Sequence, residues 1–170
     1  MNKFLKAGHL IGLAAFVGSI FGHILLGNLG DREAGLAGFA VLMQAKYMNV
    51  LLLTTSGLVL LLLTGIPLML RRGMSPAKVR WMGVKLALVA LIALNGILVL
   101  TPLGQEMAAM ARNAVSAGGL PAAFFELQSK EDTFGAANLA MILAVISLAV
   151  ARPALRRKNS IQVVSRRATQ

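Results

Sequence analysis

Four runs of apolar residues dominate the chain, at Phe4–Leu29, Tyr47–Leu70, Val79–Leu103 and Phe134–Val150. Each is near or above the roughly 20 residues that a helix needs to cross a hydrocarbon layer about 30 Å thick. None alternates with the period of two that a barrel strand requires, whereas a helix satisfies its own backbone in lipid. The pattern therefore predicts an all-α, polytopic membrane protein built as a four-transmembrane-helix bundle. Pro67, just after Gly65, predicts a local kink near the end of the second span. The stretch 104–133 predicts a long loop, with an interfacial helix over Gln105–Ala117 and a second short helix from Pro121. Residues 1–152 thus form the spanning domain, and the apolar character ends in a basic tail at 153–170.

Composition agrees with a lipid environment. Of 170 residues, 57% are hydrophobic and 14% charged, where a soluble domain carries about 25% charged residues. The absence of cysteine excludes disulfides, iron–sulfur clusters, thiolate metal sites and cysteine nucleophiles. The net charge of +11 would suggest nucleic acid in a soluble protein, but sorted by span it has another meaning. Lys3, Lys6, Arg71, Arg72, Lys78, Arg80, Arg152, Arg156, Arg157, Lys158, Arg166 and Arg167 all fall on one side, with no acid among them. Asp31, Glu33, Glu106, Glu126, Glu131 and Asp132 fall on the other, with Arg32, Lys46, Arg112 and Lys130. By the positive-inside rule both termini are cytoplasmic, N-in and C-in, and the partner of the basic surface is the lipid bilayer, with no role for nucleic acid. Lys3 and Lys6 before an apolar run also resemble a secretory signal. The run of about 25 residues and the lack of a small-residue cleavage site favour a retained span.

Chemistry has few places to reside. The two histidines, His9 and His23, are both in the first span, 14 residues apart. At 100° and 1.5 Å per residue this puts them about 21 Å apart and within about 40° of one face. Such spacing suits a b-type arrangement with one haem in each leaflet, since imidazole ligates iron without bringing charge into lipid. Gly8, Gly12, Ala15, Ser19 and Gly22 form a small-residue stripe that suits close helix packing, a homodimer contact or room for a macrocycle. Depth along the spans pairs Lys85 with His9, and gathers Met48, Asn49, Asn95 and Asn138 at the level of His23. Met48 can act as an axial ligand or as a flexible core filler, and Lys85 as a propionate partner or as a snorkelling cation. Met107 and Met110, spaced i and i+3, offer soft thioethers to Cu(I) or the apolar face of an interfacial helix. There is no Ser-His-Asp set, phosphate loop or intramembrane carboxylate pair.

A family resemblance rests on these spans. "LKAGHLIGLAAFVGS", "SGLVLLLLTGIPL", "VKLALVALIALNGILVL" and "TPLGQEMAAMAR" resemble an uncharacterised family of four-helix bacterial integral membrane proteins. That family is related to the copper-resistance D-type membrane domain and to the haem-binding membrane protoporphyrinogen oxidases. The resemblance implies a bacterial inner-membrane location. It also implies haem b held by a first-span histidine, here His9, with Met48 and the third-span Lys85 beside it. The further His and Trp residues of the oxidase branch are missing, and His23 has no counterpart. The expectation is a haem b-binding redox or electron-transfer protein using His9 and His23. The alternatives are copper or small-molecule handling, or a non-catalytic membrane subunit.

Overall fold

The computed structural model describes residues 2–30, 35–71 and 80–151. Among these residues there is no strand, and the bundle is four long helices: α1 (Asn2–Gly30), α2 (Leu36–Arg71), α3 (Trp81–Ala117) and α4 (Ala122–Ala151). All four are long and apolar enough to cross a membrane. The acids Asp31 and Glu33 with Arg32, the bases Arg72 and Lys78, and the basic tail 153–170 lie outside the described residues.

The helices outrun the apolar segments. At 1.5 Å per residue α2 and α3 are about 55 Å long, some 25 Å more than a hydrocarbon layer demands. The excess is at the end that carries the α3–α4 turn, here termed the hairpin end. The expected connection before Tyr47 is instead helix from Leu36, and Gln105–Ala117 continues α3 rather than forming a separate interfacial helix. Their sequence explains it. Phe39, Ala40, Met43 and Lys46 on α2 and Met107, Ala108, Ala111 and Ala114 on α3 are buried with the same i, i+1, i+4, i+7 spacing. The α3 stripe is amphipathic, the α2 one is a buried line in a segment apolar on most sides, and the two pack on each other and on Phe124 of α4. Phe39 and Phe124 meet edge to face with ring centroids 5.5 Å apart.

Continuity through Pro102 has a local cause. Proline lacks the N–H that would bond the carbonyl four residues back. In α3 the turn before it, Gly96–Leu100, widens to π-helix, and the Thr101 hydroxyl donates to the Gly96 carbonyl at 2.8 Å. A matching π turn at Val50–Thr54 in α2 is braced by Thr55 donating to Val50. The helix also continues through Pro67 to Arg71. Gly118 ends α3 in the left-handed region at φ 77°, which any side chain would strain.

At the opposite end, where α1 begins and α4 ends, α1 packs along Thr55–Arg71 of α2, and α3 up to Asn95 packs along α4. The closest approach is between α1 and α2. A Cβ added to Gly57 would stand 2.7 Å from the Phe16 backbone nitrogen. The stripe Gly8, Gly12, Ala15, Ser19 and Gly22 is therefore filled within one protomer by Gly57, Leu60, Leu61, Thr64 and Asn49 of α2. That is the face that the sequence offered for a homodimer. Midway, Phe16, Ile92 and Ile142 form a second apolar cluster joining α1, α3 and α4.

Candidate functional site

The two histidines occupy different environments. His9 sits over Gly65, where an added Cβ would be 3.1 Å from the ring, so the glycine makes room for it. Its Nδ1 lies 3.0 Å from the Thr64 hydroxyl. That hydroxyl already donates its single hydrogen to the Leu60 carbonyl at 2.6 Å. Nδ1–H must therefore be the donor to Thr64, which leaves Nε2 as a free lone pair. Lys85 of α3 is half-buried.

At the other station His23 is tied up. Its Nε2 is 3.2 Å from Glu131 Oε1, and Lys46 donates to Glu131 Oε2 at 2.6 Å. Each carboxylate oxygen has one cationic or N–H partner. Glu131 is only 4% exposed and Lys46 is buried as well. The Lys46 stem crosses α1 at Gly27, whose missing side chain leaves the ammonium just 3.6 Å from the position of a Cβ. This layer lies ten residues into α2 and nine into α4, about 15 Å below the hairpin tip, with about 30 Å of apolar helix beneath it. It has the Phe39–Phe124 cluster above and the Phe16–Ile92–Ile142 cluster below.

A polar ladder leads from this layer into the α1–α2 interface. Asn49 donates to the Ser19 carbonyl at 2.7 Å, and the Ser19 hydroxyl, which donates to Phe16, accepts from Thr54 at 2.8 Å. It stops where Gly12 and Gly57 bring the backbones together.

The remaining candidates are dispersed. Met48 is 43% exposed and lines a shallow surface hollow with Ala40, Val41, Gln44, Ala45 and Arg112. Asn95 donates to the Phe134 carbonyl at 3.1 Å, fastening α3 to α4. Asn138 Oδ1 and His23 Nδ1 are buried with no hydrogen-bond partner among the described residues. Met107 is inside the hairpin-end cluster at 3% exposure, with Met110 against it. Among the described residues no three His, Cys, Asp or Glu side chains converge to hold a metal ion.

Sequence reasoning missed Glu131 and Lys46, which it left among the soluble charges of one side. The signal was there. Lys46 completes the stripe 39, 40, 43, 46, and Glu131 lies two turns from Phe124 on the same face of α4.

Among curated proteins and among solved structures nothing matches the chain. A family model does, over residues 3–153, nearly the whole spanning bundle. With four apolar helices of the required length, the chain belongs to the family described as predicted integral membrane protein (DUF2269).

Proposed function

We propose that this integral membrane protein is a haem b-binding redox protein of a bacterial inner membrane, with both termini cytoplasmic and His9 as the axial ligand. The observation that carries the reading is the His9–Thr64–Leu60 chain of hydrogen bonds. A haem ligand needs a neutral imidazole, a fixed ring and a lone pair on Nε2, and metal-bound histidines obtain these by donating through the other nitrogen. His9 fits that requirement. Lys85, half-buried and level with His9 by depth along the spans, would supply the counter-charge for a propionate. When bound, the group would supply one-electron chemistry. His23 is set the other way round, with Nε2 held by the buried Glu131 and only the buried Nδ1 left over, so it does not offer the Nε2 lone pair that this reading uses. Nor does Met48 stand beside either ring, since its neighbours are those of the surface hollow. The reading is therefore of one haem at the terminal end rather than one in each leaflet. The cytoplasmic termini follow from the twelve bases of that side.

The test is a reduced-minus-oxidised absorbance spectrum of the protein purified from haem-supplied cells. Soret and α bands are expected in the wild type, lost in His9→Ala and kept in His23→Ala. A wild type without bands, or bands that survive His9→Ala and vanish in His23→Ala, overturns it.

A further inference from the structure

The shallow hollow between α2 and α3 has no part in the haem reading, and its chemistry is one-sided. Its floor is Ala40, Val41, Ala45 and Met48 of α2, where two alanines sink the surface between larger neighbours. Its rim is polar, with Arg112 of α3 donating to the side-chain oxygen of Gln44 at 2.5 Å. That oxygen is the only acceptor atom of the Gln44 side chain, and a guanidinium has none. What the pair still turns outwards is a set of N–H donors, from the Gln44 amide and the rest of the guanidinium. No carboxylate lies within ion-pair distance of Arg112 among the described residues. Depth along the helices places this rim. Gly104 lies against Tyr47, so the Arg112 backbone is about 12 Å beyond Tyr47 towards the hairpin tip, whereas Gln44 is about 4.5 Å beyond it. The Arg112 side chain therefore runs back along α2 towards the apolar span that begins at Tyr47. Headgroups add about 5–8 Å to each side of the hydrocarbon. The guanidinium thus stands at headgroup depth, with Met48 at the top of the acyl chains.

We propose that the hollow holds one anionic phospholipid of the leaflet at the hairpin end, with its phosphate on Arg112 and Gln44 and the top of one acyl chain over Ala45 and Met48. Two phosphate oxygens match the planar fork of a guanidinium, and the apolar floor takes the chain that a free phosphate lacks. A cationic headgroup finds no acceptor on the rim, so phosphatidylglycerol fits and phosphatidylcholine does not. The general field of this side does not help, since its sequence carries six acids against four bases, Arg32, Lys46, Arg112 and Lys130. Selection of an anion here comes from the fork itself. An acidic peptide would meet the same guanidinium, but the floor continues at Met48 into the span, where only a lipid follows it.

The test uses the whole chain, stripped of lipid in mild detergent and titrated with dioleoyl phosphatidylglycerol under native mass spectrometry. One lipid is expected to be retained at concentrations that load no second. Arg112→Ala is expected to weaken that first binding about tenfold or more, as loss of a charge-assisted hydrogen bond implies. Ala45→Phe fills the floor and leaves the rim intact, and it should weaken the same binding. Lys130→Ala, exposed on the same side, should leave it unchanged. Phosphatidylcholine should be retained several-fold more weakly, and glycerol phosphate, which has the anion without the chains, not at all. A first binding that survives Arg112→Ala and Ala45→Phe overturns the proposal, as does equal retention of phosphatidylcholine. Glycerol phosphate or an acidic peptide that displaces the lipid at equal concentration overturns it too. Arg112, Ala45 and Lys130 lie outside the buried core clusters, so the variants keep the fold on which binding is read.

Discussion

Replacing Gly57 by alanine probes the contact on which the α1–α2 pair is built. The added Cβ would lie 2.7 Å from the Phe16 nitrogen, 3.0 Å from its Cα and 3.1 Å from the Gly12 carbonyl oxygen. All three are backbone atoms, so no rotamer change relieves the clash, and the helices must separate by about 0.7 Å to reach ordinary contact at 3.4 Å. The same displacement acts on the three bonds that flank the contact. His9–Thr64 at 3.0 Å, Ser19–Thr54 at 2.8 Å and Asn49–Ser19 at 2.7 Å stretch to or beyond the limit of a hydrogen bond. Overpacking costs about 1–3 kcal/mol, and each interhelical bond in a membrane contributes about 0.6 kcal/mol. Alanine returns up to about 1 kcal/mol of helix propensity. The net loss expected for Gly57→Ala is about 2–4 kcal/mol.

Gly18 supplies the internal control. It is on the same helix pair, but nothing lies within 4 Å of its absent Cβ. Gly18→Ala should therefore gain up to about 1 kcal/mol from propensity alone. The assay is unfolding in mixed micelles of rising dodecyl sulfate fraction, followed by the fluorescence of the single tryptophan, Trp81. A Gly57→Ala midpoint within about 0.5 kcal/mol of that of Gly18→Ala would refute the close contact, because surface-like substitutions stay inside that margin.

The same titration reads the other helix contacts. Lys46→Met alone should destabilise by about 3–5 kcal/mol, since it strands a buried carboxylate, while Lys46→Met with Glu131→Leu should lose less than either single change; a double variant as damaged as the sum would contradict the ionic account. Phe124→Ala should cost about 3–5 kcal/mol from its 1% exposed position against Phe39, and a loss under about 1 kcal/mol would mean that the hairpin-end cluster is not packed as described.

How much of this was legible in the sequence depended on which periodicity was sought. Runs of uniform hydrophobicity located all four spans, because lipid demands apolar residues on every exposed face. That criterion ends a helix where the run ends. It was blind to Thr101–Ala117, where apolar residues recur on one helical face among polar ones, and it stopped short of Leu36–Asn49, whose apolar run is interrupted by Gln44 and Lys46. Lys46 and Glu131 were missed for the same reason, as charges read as loop when their helical register places them inside. Depth pairs His9 with Lys85 only by level, since both lie on spans whose direction is fixed by alternation. It failed for Met48, because depth carries no information about azimuth, and Met48 faces outward. The stripe from Gly8 to Gly22 announced a close contact but not the partner, which only the Gly57 and Asn49 positions on α2 identify.

The ionic layer and the glycine contact divide between them the task of holding four mostly apolar helices in one register. Dispersion between apolar side chains is nearly indifferent to a slip of one turn, since lipid-facing and helix-facing leucines are alike. The Gly12–Gly57 contact sets which faces of α1 and α2 meet, because the residues flanking each glycine carry a Cβ, while Gly8 one turn from Gly12 leaves a one-turn slip open on this pair. It says nothing of α4, which packs mainly along α3. Glu131 supplies that missing constraint. A slip of α4 by one turn, about 5.4 Å, would withdraw its carboxylate from His23 and Lys46 together and leave three polar groups buried alone. Several kcal/mol separate the two registers on that account, far more than packing differences at one position. The bundle is thus held twice, by the Gly12–Gly57 backbone contact on one helix pair and by the Glu131 ion pair at the hairpin end.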